Sequence, residues 1–538
     1  MKDTIRQDFA SEPSLSSSVE KAESIRQEQA PPATSDPENG LGRVATVKPE
    51  LTSAHKDYLI RRHGTHELEP IPSIDPQDPY NWPDWKKNVN LFLIAFHAMM
   101  TTFMAAGIIP AYENIAQDLG VSLQKTSYLT SVQIVVLGYG PLFWKPISTR
   151  YGRRPVWLIS CLGSGICSVG CAVSHSYGAM AACRCLVAFF ISPPAAIGSG
   201  VVVETYFKNQ RATKMGIWTL MVTLGPPAGP FLMGFVAYHV GYRWIYWIFA
   251  ITNAVQFVAY LFLSPETRYM RTDDPSTTDA SVAGKSSFKS AYFSFRRIDP
   301  APFRAVEFIE PLFLGKHASV LLPTIAYSVV FGFTSVFLTV EIPQIFLPLY
   351  HFNAQQLGLQ FLGMIIGSVV GEQLAGPLSD WWMHAARRRQ AKRNGSSWVR
   401  PEFRLWLSYF GYMLAMVGLI VFGVRTAQAK TWNVTPIVGI GIAAAGNQIV
   451  TTICMTYMVD MHQNHSSSIG AFVNVVRSTW GFICPFWLPD MVSSIGIGGS
   501  GGLTAGIIFA ASVLPTVVVQ ILEGRRKGRP AEVDGRGD

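Results

Sequence analysis

The chain has 538 residues, of which 49% are hydrophobic and only 15% charged, with a formal net charge of +9. Soluble domains carry about 25% charged residues, so the composition excludes an ordinary soluble enzyme and points to lipid as solvent. The basic excess is confined to loops and tails, which excludes a nucleic-acid-binding surface as its cause.

Residues 1–86 are rich in Ser, Glu, Lys, Gln and Pro up to Leu68 and read as a disordered tail. No secretory signal is expected there, because the first residues contain no apolar run. Beyond the tail, about twelve apolar stretches approach the roughly 20 residues that a spanning helix needs. They predict spans over Val89–Ala111, Ser127–Ile147, Val156–Ser174, Gly178–Tyr206, Thr213–Val240 and Trp244–Leu263. A polar segment, 264–316, separates these from Ala318–Leu347, Leu357–Trp381, Phe403–Val424, Pro436–Val459, Ser467–Pro489 and Leu503–Leu522. The fold class is therefore an all-α membrane protein, with twelve transmembrane helices in two six-helix bundles, 87–263 and 317–522. A C-terminal tail covers 523–538.

Lys and Arg set the orientation, because cytoplasmic loops retain positive charge. With the N-terminus inside, 38 of the 44 basic residues lie on the cytoplasmic side. Only Lys125, Arg243, Arg425 and Lys430 lie outside, and Arg184 and Arg477 lie within spans. Both termini are expected in the cytoplasm of a multi-pass cell-membrane protein. The seven cysteines all fall in apolar stretches, without Cys-x-x-Cys spacing, and read as packing residues. No metal site, nucleotide loop or enzyme signature is found, and a monomer without a bound cofactor is expected.

A repeat relates the two halves. Lys145-Pro-Ile-Ser-Thr149 ends span 2, with Tyr151-Gly-Arg-Arg154 beyond it; Gly376-Pro-Leu-Ser-Asp380 ends span 8, with Arg387-Arg-Arg389 beyond it. Internal repeats of this kind mark secondary transporters.

Several segments resemble the major facilitator superfamily, and within it the fungal twelve-span drug:proton antiporters, including their polyamine and cation branch. Gly152, Arg153 and Arg154 resemble its motif A, with Asp380 in the second copy. Arg184 resembles the motif B arginine. Gly225-Pro-Pro-Ala-Gly-Pro230 resembles motif C, the antiporter motif, through Gly225, Pro226, Gly229 and Pro230. Asp78-Pro-Tyr-Asn-Trp82 and Pro265-Glu-Thr-Arg268 are similar to the family's flanking segments, and Arg477 matches an arginine common in its span 11. The resemblance implies export of a small organic molecule, such as a drug or secondary metabolite, driven by the proton gradient. Proton-coupled uptake of polyamines or other organic cations is the alternative, and a non-transporting nutrient receptor the second.

Five acids fall in spans. Glu204, Asp460 and Asp490 lie near predicted helix ends, where solvation or capping accounts for them; Glu341 and Glu372 lie deeper and could carry protons or meet a cationic cargo. Arg184 has two readings, a tether to neighbouring carbonyls or a part in proton coupling; for Arg477 the tether is preferred. The chain departs from motif A at Lys145 and Thr149, where the family has a small residue and an acid. That departure implies a weakened cytoplasmic latch, with state preference resting on Asp380.

Overall fold

The structure, a computed structural model, describes residues 53–65, 68–269, 297–300, 302–394, 400–429, 431–462 and 466–525. Most of the two tails and 270–296 of the central loop lie outside the described residues; within the tail expected to be disordered, however, Ser53–His63 is a helix with His55 and Leu59 buried, because its apolar side packs inward.

The first half contains α1 (Asp84–Ala106), α2 (Leu123–Tyr151), α3 (Arg153–Val173), α4 (Tyr177–Thr205, interrupted at Ser192), α5 (Lys208–His239) and α6 (Arg243–Leu263). The second contains α7 (Ala318–Tyr350), α8 (Leu362–Asn394), α9 (Ser408–Gln428), α10 (Thr435–Met461), α11 (466–495) and α12 (497–525). Ten helical stretches among the described residues are long and apolar enough to cross a membrane. The count reaches twelve because α2 is too polar to register by composition, and because α11 and α12 run together across Gly496, whose φ of 73° breaks the helix. No strand occurs among the described residues.

The boundaries differ from expectation where amphipathic helix continues past the apolar run. The predicted polar connection after span 1 holds a helix, Tyr112–Leu119, whose Tyr112, Ile115 and Ala116 are buried. Likewise α8 continues beyond Trp381 through its arginines to Asn394. All seven cysteines are free thiols.

Prolines shape the spans. A proline removes the N–H that would bond the carbonyl four residues earlier, and lipid offers no substitute donor. In α5, Pro226 frees the Val222 carbonyl, which accepts instead from Thr102 Oγ1 of α1 at 3.1 Å. In α4, Pro193 frees the Phe189 carbonyl, which accepts from Trp144 Nε1 of α2 at 2.9 Å. In α2, Pro141 frees the Leu137 carbonyl, which accepts from Asn474 Nδ2 of α11 at 3.1 Å. Neighbouring helices thus supply the donors that the bends take away.

At the face bearing the α2–α3 and α4–α5 turns, here called the basic face, Asp78-Pro-Tyr-Asn-Trp82 braces the start of α1. Asp78 accepts from the Tyr80 amide at 3.1 Å, Tyr80 donates to the Val203 carbonyl at 2.6 Å and stacks on Phe207, and Lys87 donates to the Tyr80 carbonyl at 2.8 Å.

Thr102→Val should destabilise the chain by about 1 kcal/mol, while Thr102→Ser, which keeps the donor, should be close to neutral. Thermal unfolding of the purified protein in one detergent checks this; equal melting points for the Val and Ser variants would refute the donor role.

Candidate functional site

The two halves meet along α2 and α11. Starting from the basic face, Lys145 Nζ donates to Ser468 Oγ at 3.0 Å, Asn474 donates to the α2 backbone, and Tyr139 and Thr479 share a hydroxyl hydrogen bond at 3.0 Å. Gly138 leaves room for Ser478, and nearer the opposite face Tyr128 stacks on Phe486 with ring centroids 4.5 Å apart. Toward that opposite face α5 also meets the short helix Ala354–Gln360 that leads into α8. A Cβ at Gly234 would stand 2.7 Å from the Ala354 carbonyl oxygen, and one at Gly358 would stand 2.8 Å from that of Pro230. Small residues on both partners permit this backbone contact.

The motif C glycines serve the same packing from the other side of α5. A Cβ at Gly229 would lie 2.6 Å from the Phe103 carbonyl oxygen, and one at Gly225 would lie 2.6 Å from that of Met99. Pro226 follows the Gly225 contact and Pro230 the Gly229 contact, so the motif fixes α1 against α5 while the Pro230 carbonyl faces the other half.

Glu341 lies in α7, one turn beyond a π-helical segment, Gly332–Phe337. Such segments are frequent at functional sites. The carboxyl is 2% exposed, and its Oε1 has no hydrogen-bond partner among the described residues. Tyr112 is fully buried and donates to Thr130 Oγ1 at 2.6 Å. Glu372, half-buried in α8, has neither an ion pair nor a hydrogen bond among the described residues.

Arg184 is buried and donates through Nε to the Leu129 carbonyl at 3.0 Å and through Nη2 to the Ala105 carbonyl at 3.1 Å. Ala105 ends α1, where carbonyls lack intrahelical donors, and a cation there also complements the helix dipole. These are tethering contacts. Arg477 donates to Tyr327 Oη at 3.1 Å and to Asn474 Oδ1 at 2.7 Å, with its guanidinium 4.6 Å from the Phe331 ring centroid. It therefore orients the same Asn474 that bonds the α2 carbonyl.

The motif A residues form a charged clamp. Gly152 has φ of 96°, a conformation that suits glycine alone, and the Glu266 carboxylate lies against it. Glu266 accepts from the backbone N–H groups of Arg153 at 2.8 Å, Arg154 at 3.0 Å and Arg268 at 2.8 Å, closing the N-terminus of α3. Desolvation raises this carboxyl above the ordinary glutamate pKa, and the three donors oppose the shift. Arg153 forks onto Glu204 at 2.7 and 3.2 Å, and Arg154 donates to the Ser264 and Leu261 carbonyls, each at 2.9 Å. Glu204 is thus an ion-pair partner rather than a solvated helix end, and Arg268 joins it at 3.4 Å. Asp380 faces Arg404 at 3.7 Å within its own half, and Arg404 also reaches Asp460 at 3.4 Å.

Lys145 and Thr149 separate in role. Thr149 returns its hydroxyl to the Lys145 carbonyl of its own helix at 3.0 Å, and Lys145 is the residue that crosses to the other half. The Glu204 and Glu266 partnerships were missed because they join segments 51 and 113 residues apart. The Pro265-Glu-Thr-Arg268 segment, which carries Glu266, is the part of these partnerships visible in the sequence.

Two six-helix halves meeting along α2–α11 and α5–α8 define a membrane transporter. The chain belongs to the Major Facilitator Superfamily, whose profile matches residues 91–485. It is 28% identical to MFS-type transporter atr4 of Stereocaulon alpinum, covering 85% of this chain and 81% of that one. It is 27% identical to MFS transporter cpaT of Aspergillus oryzae (84% and 90% covered) and 26% identical to efflux pump radE of Floropilus chiversii (82% of each). Among solved structures, a peptide transporter POT in complex with alafosfalin shares the fold, with a TM-score of 0.57 and 13% identity over 82% of this chain and 96% of that one.

Lys145→Met should loosen the contact between halves at the basic face. A cysteine at Thr149 should then react with a soluble maleimide about threefold faster, as a shift of under 1 kcal/mol between two states produces. Thr149→Cys alone supplies the baseline, and equal rates with and without Lys145→Met would exclude Lys145 as a latch.

Proposed function

We propose that this chain is a proton-coupled exporter of an organic small molecule, a drug or secondary metabolite, working by alternating access with both termini in the cytoplasm. The observation that carries the reading is the Glu341 carboxyl, buried and without a hydrogen-bond partner among the described residues, in the helix that packs against α2 and α11. A carboxylate in a span is costly unless it is paired or hydrated, so its protonation and its meeting with water or cargo are tied to movement of the halves. Proton entry would neutralise Glu341, and separation of α7 from the first half would let the proton leave on the other side. Arg184 fixes the α1 end and α2 around Tyr112, so the Tyr112 hydroxyl is held in one place as Glu341 changes charge. Export is supported by the motif C packing and by the relative that carries the name efflux pump. The same lone carboxyl also suits an organic cation, which keeps polyamine or cation uptake as the second reading.

Glu341→Gln keeps shape and removes titration. Substrate flux in inside-out vesicles should fall at least about tenfold and lose its dependence on an imposed pH gradient, with normal expression. Gradient-dependent flux in Glu341→Gln would end the role of Glu341 as proton carrier. For orientation, a cysteine at the exposed Lys316 position should react with an impermeant maleimide only after cells are permeabilised; labelling of intact cells would reverse the topology.

A further inference from the structure

A cleft of about 300 Å³ opens beside the seam, lined by Val135, Val136, Tyr139 and Gly140 of α2 and by Phe189 of α4. Pro141 and Pro193 stand just beyond its walls, and Gly140 admits Ser192 at the break in α4. Two of the five lining residues, Tyr139 and Phe189, are aromatic, and Phe189 is backed by further rings that lie outside the lining. The rings of Phe143 and Phe189 are 5.3 Å apart between centroids, Trp144 lies 5.3 Å from Phe189, and Phe308 of the central segment lies 6.1 Å from Phe143. Tyr139 is 45% exposed, and its hydroxyl holds Thr479 of the other half. The cleft therefore adjoins the interface between the halves, and its one polar side chain, Tyr139, is engaged across that interface.

We propose that this cleft is the entry subsite for a planar, uncharged aromatic cargo arriving through the lipid, and that its occupation works against the Tyr139–Thr479 bond. The proposal deepens the exporter reading and rests on it by naming the cargo class. The volume suits a compact two- or three-ring molecule at the small end of ligand pockets. The Tyr139 and Phe189 rings in the lining favour offset or edge-on stacking of an aromatic guest over a flexible chain. A guest inserted beside Tyr139 shifts the ring that carries the seam's hydroxyl contact, so the site couples arrival of cargo to loosening of α2 from α11. The neutral lining gives an ion no counter-charge, and an ionised guest would lose its hydration there without compensation.

The test uses the full chain in lipid nanodiscs with N-phenyl-1-naphthylamine, a neutral aromatic probe whose fluorescence rises on leaving water. Saturable binding is expected, weakened about tenfold by Phe189→Ala, which removes a wall, and by Val136→Trp, which fills the space. Val255→Trp, on the lipid-facing side of α6 and 64% exposed, should bind as the wild type does. Tyr139→Phe should retain the probe while raising maleimide labelling at the seam. Melting profiles identify any variant that fails to fold, and Phe189→Ala and Val136→Trp perturb the site in opposite senses, so either alone reads it. Excess 1-naphthol should displace the probe and oleate should not; displacement by oleate alone would assign the cleft to acyl chains and overturn the proposal. Absence of saturable binding, or equal binding in all variants, would overturn it as well. Gradient-driven efflux of the probe from proteoliposomes separates the two readings. Cleft-dependent binding without efflux supports the cleft and removes the exporter, whereas efflux indifferent to both cleft variants removes the cleft alone.

Discussion

A backbone carbonyl inside a membrane has no water to fall back on, and this constraint organises much of the structure. Four carbonyls deprived of their helical partner, by proline or by a helix end, are met by side chains from other helices: Val222 by Thr102, Phe189 by Trp144, Leu137 by Asn474 and Ala105 by Arg184. Each donor ties a bend or an end to a specific neighbour, so the distortions of α1, α2, α4 and α5 are properties of helix pairs rather than of single helices. Three of the four lie within the first half and fix its interior. The Leu137 pairing lies between halves, so the bend of α2 is tied to the position of α11. Arg477, by orienting Asn474, gives that pairing a charged anchor.

The apolar runs disclosed the spans because burial in lipid demands length and low charge of every helix regardless of its neighbours. They were least informative where a helix is not wholly in lipid. In α2, Gln124, Lys125, Gln133, Lys145 and Arg150 dilute the apolar signal because much of its surface faces protein. The Tyr112–Leu119 helix read as a loop because only its Tyr112, Ile115 and Ala116 turn inward. Between α11 and α12 the apolar runs place a boundary over 490–502, and the chain breaks inside it at Gly496 alone, with helix continuing on both sides.

Site residues were legible in type and obscure in partnership. The arginines of motif A stand out in sequence as charges beside a glycine, but what holds them is Glu266 and Glu204, which arrive from α6 and α4 by way of the fold. The departure at Lys145 and Thr149 read as a loss, since a carboxylate was absent where an ion pair was expected. In the structure a lysine reaching Ser468 supplies a different crossing contact from the same turn. A long side chain spans a gap that a short acid would bridge only through a partner, so a changed residue type need not mean a missing contact.

Partnership also sorts the acids by role. Glu204 and Asp460 are each held by an arginine, with Arg153 and Arg404 supplying the charge, and Asp490 lies exposed at the opposite face. A carboxylate held in this way is neutralised in place and contributes to architecture. Glu341 and Glu372 lack such a partner among the described residues, although both lie in spans where an isolated charge is costly. The cost can be met by a proton, by water entering a separated seam or by a cationic group on a guest. All three arrive from outside the protein. A paired acid ties two helices together in this structure; an unpaired one is free of that tie, and the proposed coupling rests on this difference.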